Sequence, residues 1–172
     1  NHDFGNEISI GFWANGDPAF LPANTSILEG KDSLGNRVVN IHFPWSNERN
    51  YWDCGAGSGY DRIDELATAA EYEGNWHQWT FTKNASTGTM NIYLDGTLWL
   101  TGSGKTLPVG IVNQFRLGNS VTGNYQWAGL IDEFSIWDVE LSSTDINAYL
   151  NTKIDAGHPE FANLVAYYDF DN

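Results

Sequence analysis

GNWHQWTFTKNASTGTMNIYLDG, residues 74–96, decides the fold. Two aromatic and apolar runs, Trp76 to Lys83 and Thr89 to Asp95, flank the turn-forming stretch Asn84-Ala85-Ser86-Thr87-Gly88. That order predicts an antiparallel hairpin. Asp95-Gly96 is a second reversal signal of the hairpin kind, and it leads on into Leu98-Trp99-Leu100.

The same short alternating pattern extends outward on both sides. Upstream, Ile8, Ile10 and Phe12 share one face of Ile8 to Trp13, and Gly16-Asp17-Pro18 stops the strand. A run at Ser26 to Glu29 is followed by a turn at Asp32 to Asn36. Arg37 to Phe43 then sets Val39, Ile41 and Phe43 against Val38, Asn40 and His42, and Pro44 ends it. Asn50 to Cys54 and Tyr60 to Asp64 read as two strands joined by Gly55-Ala56-Gly57-Ser58-Gly59; Asp64 to Glu73 reads as a helical turn or a loop. Downstream come strands at Gln114 to Leu117 and Gly129 to Trp137. One helix follows, with Ser142 or Ser143 as N-cap, Asp145 in its first turn, and Ile146, Tyr149 and Leu150 on one face. Leu164 to Phe170 closes the chain.

Composition agrees with an all-β class: 172 residues, 15% aromatic and only 17% charged. No break or repeat divides it, so residues 1–172 read as one domain, excised from a larger protein. Eight Lys and Arg stand against 22 Asp and Glu, a formal net charge of −14. A surface of that sign repels nucleic acid and anionic membranes. No apolar run approaches the roughly 20 residues of a membrane-spanning helix. The single cysteine, Cys54, has no internal disulfide partner and leaves the redox compartment open.

The hairpin is similar to a signature of laminin-G-like jelly-roll domains, built on Trp76-His77, the apolar alternation and Asp95-Gly96. GLIDEFSIWDVELSSTDI, residues 129–146, resembles the closing motif of those domains, and ISIGFW, residues 8–13, resembles their first core strand. The resemblance implies an all-β, two-sheet antiparallel jelly-roll sandwich of the concanavalin A-like type, with one short helix near the C-terminus. LVAYYDF, residues 164–170, resembles a terminal strand that pairs beside the N-terminal strand. Residues 40–63, NIHFPWSNERNYWDCGAGSGYDRI, resemble a subgroup from secreted bacterial multidomain proteins. That implies an extracellular or cell-surface setting, with neighbouring domains of the parent chain as partners. Many domains of this fold hold a structural calcium ion. Asp132 matches the aspartate that ligates it, and the remaining ligands are expected from carbonyls around Asp3 to Asn6 and Glu29 to Lys31.

Glucanases share the fold, and retaining glycosidases need two carboxylates roughly 5 Å apart. In the related enzymes these lie on one strand as E-x-D-x-E, a triplet missing here. Asp61-Arg62-Ile63-Asp64-Glu65 has Ile63 in the middle position, and alternation sends Asp132 and Glu133 to opposite faces. The four histidines show no metal-binding spacing; His77 reads as structural, His158 as a loop residue, and Cys54 as a buried thiol without a base. The chain is therefore expected not to be an enzyme.

Sugar sites combine flat aromatic rings with side chains that bond to hydroxyls. Residues 40–62 concentrate both, and His42, Trp45, Tyr51, Trp52, Tyr60, Asp61 and Arg62 are the candidate ligand-binding residues. Alternation pairs Trp52 with Cys54 and Tyr51 with Asp53, so one of the two aromatics faces the core. The loop Gly118 to Trp127, with Asn119, Asn124, Tyr125 and Gln126, is a second candidate surface. Trp13, Trp76, Trp79, Trp99 and Trp137 are expected in the core. Asn24-Thr25-Ser26 and Asn84-Ala85-Ser86 are glycosylation acceptors only in a eukaryotic secretory setting. The expected function is a non-catalytic carbohydrate-binding or adhesion module, stabilised by calcium and taking a glycan or polysaccharide. The competing reading is a structural spacer or protein-interaction module.

Overall fold

Alternation along Glu7–Gly16 sends Ile8, Ile10, Phe12 and Ala14 into the interior and leaves Gly11 and Trp13 on the other side. In the computed structural model, which describes residues 1–57 and 59–171, this strand anchors a two-sheet sandwich. Ser58, in the glycine loop, and Asn172 lie outside the described residues. The strands are β1 His2–Asp3, β2 Glu7–Gly16, β3 Leu28–Lys31, β4 Arg37–His42, β5 Arg49–Cys54 and β6 Asp61–Leu66, then β7 His77–Asn84, β8 Thr89–Leu94, β9 Thr97–Gly102, β10 Ile111–Val112, β11 Gln114–Leu117, β12 Gly129–Trp137 and β13 Leu164–Tyr168. Two short helices are present, α1 Ala69–Tyr72 and α2 Ser143–Ala148.

One sheet has the order β13-β12-β2-β7-β8-β9, the other β11-β3-β4-β5-β6, and a small ribbon pairs β1 with β10. The hairpin of β7 and β8 forms as its residues predict. Asn84 Oδ1 accepts the backbone N–H groups of Ser86 and Thr87, and Asp95 and Gly96 both take left-handed conformations at the next reversal, φ 49° and 74°. The open choice at 64–73, a helical turn or a loop, resolves into a helical turn preceded by the end of a strand. β6 runs to Leu66, and Thr68 then starts α1 with Glu71 completing a capping box. Ser142 caps α2 in the same way with Asp145.

Rings from both sheets interlock in the core. Phe12 lies 5.8 Å from Phe43 and 5.7 Å from Phe81, and Trp52 lies 5.9 Å from Phe81. Two polar ties join the sheets at the same level. Trp52 Nε1 donates to the Thr82 carbonyl at 3.2 Å, and Lys83 Nζ reaches Asp61 at 2.6 Å and the Cys54 carbonyl at 2.8 Å. Lys83 has 0% exposure, so this ion pair works as an internal strut. A second, smaller cluster of Tyr93, Trp137, Leu141 and Ile146 lies beneath α2.

Two expectations are corrected. The terminal strand β13 pairs with β12, Phe134 opposite Tyr168, and not beside the N-terminal strand. Both edges of β2 are already occupied, by β12 and β7, so no ladder is left for it. Of the tryptophans, Trp79 and Trp137 are buried and Trp99 packs against the core. Trp13 is half-buried and Trp76 is 41% exposed, because they lie on the outer side of the six-stranded sheet.

Truncating Phe81 to Ala removes the ring shared by Phe12, Trp52 and Trp79. The expected cost is about 3–5 kcal/mol, read as a lower urea midpoint with an unchanged slope.

Candidate functional site

The hydrogen-bond register of the five-stranded sheet fixes which side chains share its outer face. Arg116, Glu29, Asn40, Asp53 and Arg62 are successive cross-strand partners, one from each strand, and form a single row. His42, Tyr51 and Asp64 form the next row. The same alternation sends Ile41, Trp52, Cys54 and Ile63 into the core.

Asp53 organises the row. Its carboxylate is fully buried and accepts from Arg37 Nη1 at 2.8 Å, Arg62 Nε at 2.5 Å and Arg62 Nη2 at 2.7 Å. Charge-assisted, forked bonds of this kind hold guanidinium groups in one plane. Arg62 is thereby set over the Tyr51 ring at 4.7 Å and the Tyr60 ring at 5.2 Å, and Arg37 over Tyr60 at 5.5 Å. Glu29 is held by Arg37, by Lys31 and by the Val121 N–H, and Asp64 by Arg49.

An aromatic wall continues from Tyr51. The His42 ring lies 6.1 Å from Tyr51 and 4.3 Å from Trp45, and Trp45 lies 5.2 Å from Tyr125. Tyr125 arrives on the 118–127 loop, which is tied to β3 and the chain before it by Gly118 N–H to the Ile27 carbonyl and by Ser26 N–H to the Tyr125 carbonyl. The two surfaces singled out in the sequence are thus one. His42 is only 7% exposed, and its Nδ1 bonds to the Thr25 carbonyl at 2.9 Å. Burial, the largest influence, holds its pKa below the usual histidine value.

The structure brings together His42, Trp45, Tyr51, Tyr60 and Arg62, and separates two other candidates from them. Trp52 has no exposed surface, because alternation turns it into the core, where its indole serves Thr82. Asp61 stands opposite Cys54 on the inner side, its Oδ2 taken by Lys83 and by the Leu107 N–H. Arg37, Arg49, Arg116 and Tyr125 belong to the face as well. For Arg49 and Arg116, strand parity was the available signal. Arg37 has the parity of inward Val39 and Ile41 and reaches the face where the β3–β4 register shifts, and Tyr125 reaches it through long-range loop contacts that no local pattern encodes. Cys54 is buried, and burial pushes its thiol up to about 12, which leaves no thiolate for chemistry. His77 is structural, bridging Asp95 at 2.7 Å and the Ala70 carbonyl at 3.0 Å.

The residues do not fit a calcium ion at Asp132. It sits opposite Trp13, six residues beyond the start of β2, which is about 20 Å at the rise of a strand. Asp3 to Asn6 lie past the far end of that strand; there His2 meets Asp138 at 3.2 Å, and the Phe4, Gly5 and Asn6 carbonyls accept from Glu7, Gly110 and Ala85. Glu29 to Lys31 belong to the other sheet. Asp132 Oδ1 itself accepts the Glu133 N–H, and no cluster of three His, Cys, Asp or Glu among the described residues is placed to hold a metal.

Of the eight Lys and Arg in the chain, all four arginines and Lys31 lie on the strands of this sheet; of the five carboxylates on those strands, Glu29, Asp53 and Asp64 pair with arginine, and Asp61 is turned inward to Lys83. An acidic chain therefore gathers all its arginines on one sheet, beside a row of aromatic rings.

A family model described as the concanavalin A-like lectin/glucanases superfamily matches residues 1–147. No curated protein sequence matches the chain. Among solved structures, a protein of Bacteroides ovatus ATCC 8483, described as a "putative carbohydrate binding protein", is similar over 99% of this chain and 47% of its own, at 18% identity and TM-score 0.71. The ligand binding domain of botulinum neurotoxin serotype D, in complex with N-acetylneuraminic acid, is similar over 84% of this chain and 36% of its own, at 20% identity and TM-score 0.67. The binding domain of botulinum neurotoxin DC, in complex with rat synaptotagmin II, is similar over 85% of this chain and 35% of its own, at 22% identity and TM-score 0.63. The chain spans less than half the length of each, and likeness at these identities speaks for the fold.

Asp53→Asn removes the charge that two arginines share in a buried setting, and is expected to lower stability by about 3 kcal/mol in chemical denaturation. His42 generates a pH dependence. Above about pH 6.5 it is neutral folded and unfolded, so its site contributes fully. As pH falls through that value the unfolded chain takes up a proton that the folded ring resists, and stability declines. Urea midpoints measured from neutral pH down to the mid-fives should fall more steeply in the parent than in His42→Gln.

Proposed function

Because the chain belongs to the concanavalin A-like lectin/glucanases superfamily, we propose that it is a non-catalytic carbohydrate-binding module, working outside the cell, that holds an anionic glycan on the outer face of its five-stranded sheet. One observation carries this reading: every arginine of a strongly acidic chain is gathered on that face beside Trp45, Tyr51, Tyr60 and Tyr125.

Each residue type has its part. Flat rings cover the apolar face of a pyranose, while guanidinium forks match a carboxylate through paired N–H donors. Arg116 has no ion-pair partner among the described residues, and Arg62, steadied by Asp53 and two tyrosines, offers its remaining N–H groups. Tyr51 and Tyr60 hold the Arg62 fork in place between them, and Trp45 with Tyr125 offer the aromatic platform for the sugar ring. The similar structures named above lend support, since one is described as carbohydrate binding and another holds N-acetylneuraminic acid, a carboxylated sugar.

The non-catalytic part of the reading rests on the carboxylates. Glu29, Asp53 and Asp64 are each bonded to arginine, which leaves this face no free acid to protonate a leaving group. An adhesive role beside other domains of a longer parent chain follows naturally. No helix among the described residues is long and apolar enough to cross a membrane.

The test is a glycan array, with and without EDTA, read against variants. The parent should bind sialylated or uronate-bearing glycans above their neutral counterparts, and binding should weaken with salt and survive EDTA. Arg62→Ala and Tyr51→Ala should each lose tenfold or more, equivalent to about 1.4 kcal/mol. A folded domain silent across the array would move the assignment to a spacer or protein-interaction module.

A further inference from the structure

The outer side of the six-stranded sheet holds a cavity of about 470 Å³, within the range of roughly 300–1,000 Å³ typical of small-ligand sites. Its floor is a cross-strand row of three small residues, Ser135, Gly11 and Thr80. A Cβ at Gly11 would stand 3.0 Å from Ser135 Oγ, so the missing side chain keeps the floor low. The adjacent row on the same strands is Asp132, Trp13 and Gln78. Neighbouring strands lie about 4.8 Å apart, so the indole is flanked on each side by an oxygen-bearing side chain within the span of one pyranose. Exposed Trp76 adds a second aromatic wall, and α2 with the segment that follows it closes the opposite side.

The free polar groups flanking Trp13 are acceptors. Gln78 Nε2 donates to the Trp79 carbonyl at 3.2 Å and to Thr80 Oγ1 at 2.7 Å; a carbonyl can only accept, which fixes the orientation of the amide. Gln78 Oε1 is then left buried with no partner among the described residues. On the other side of Trp13, β12 shifts register between Asp132 and Ser135, with Glu133 in a left-handed conformation at φ 49°. The bulge corrects the expectation from plain alternation, because both carboxylates line the cavity instead of facing opposite ways. Asp132 accepts one N–H through Oδ1, and Glu133 accepts the Tyr167 hydroxyl through Oε2, so each keeps a second oxygen for another donor. Lys153 also lines the cavity, but it is tied to Asp169 and Asp171.

We propose that this cavity is a second sugar site, independent of the arginine face. It takes a pyranose without negative charge, stacked on Trp13, whose hydroxyl groups donate to Gln78 Oε1 on one side and to Asp132 and Glu133 on the other. The two sites sit on different sheets, one selecting anionic and the other neutral sugars. Part of the cavity wall, from Tyr149 to Ile154, lies beyond residue 147, where the family match ends, so the site depends on chain outside the matched region.

The test follows the indole N–H signals of the ¹⁵N-labelled chain, with Trp13 assigned through Trp13→Phe, during titration with methyl glucoside, methyl galactoside, methyl mannoside and diacetylchitobiose. Glucuronate is the charged control. The Trp13 signal should move saturably with at least one neutral sugar and stay still with glucuronate at equal concentration. Asp132→Ala and Gln78→Ala, each confirmed folded by its melting curve, should weaken that response at least tenfold, while Arg62→Ala leaves it unchanged. No Trp13 movement with any neutral sugar up to tens of millimolar overturns the proposal, as does movement that persists at full strength in both variants. Because Arg62→Ala reports on the other face alone, failure of one site is distinguishable from failure of the other.

Discussion

Phe12, Phe43, Trp52, Trp79 and Phe81 meet between the two sheets, and their packing decides what every strand can show to solvent. Strand side chains alternate with a period of two, so committing Trp52 and Ile41 to this cluster commits Tyr51, Asp53, His42 and Asn40 to the outer side. A slip of one residue in β5 would bury Asp53 against phenylalanine and expel Trp52. The Trp52 bond to the Thr82 carbonyl and the Lys83 contact with Asp61 act at the same level and lock both sheets in that register. The strut is itself demanding, since a buried lysine without its carboxylate costs about 3–5 kcal/mol.

From that register the electrostatics follow. Twenty-two carboxylates against eight cations make self-repulsion the default condition of the surface. Gathering the arginines on one face works against that default, and Asp53 makes the gathering stable: one buried carboxylate is shared by two guanidinium groups that would otherwise repel each other. The stacked tyrosines then limit the directions in which Arg62 can point. On the other sheet Asp132 and Glu133 stand together with Lys153 engaged elsewhere, so that side keeps the sign of the chain as a whole.

The legible part of this arrangement was local. The hairpin at 74–96, the capping box at Ser142, and the opposed faces of Tyr51 and Trp52 all rest on residues a few positions apart, and each reads correctly from pattern alone. Three features do not. The bulge at Asp132 to Ser135 breaks the period of two, and nothing in Ile131-Asp132-Glu133-Phe134 announces it. The capture of Asp61 by Lys83 joins residues 22 positions apart on different sheets, so an apparently free candidate carboxylate turns out to be a strut. Trp13 and Trp76 resemble core tryptophans in sequence, but they lie on the outer side of the six-stranded sheet and line a cavity there, partly closed by a segment distant from both in the chain, Tyr149 to Ile154.

The same bulge bears on how the carboxylates are arranged in a fold shared with glucanases. Hydrolysis at a sugar requires two carboxylates across the scissile bond, one of them free to deliver a proton. On the five-stranded sheet each outer carboxylate is bonded to arginine, which suits it for positioning a cation and unsuits it for acid chemistry. On the six-stranded sheet the two β12 carboxylates that line the cavity are sequence neighbours, brought to one side by a single extra residue. Asp145, the third carboxylate of the lining, is held by Ser142 as the cap of α2. It is the bonding of these acidic groups, rather than their number, that supports the proposed non-catalytic reading.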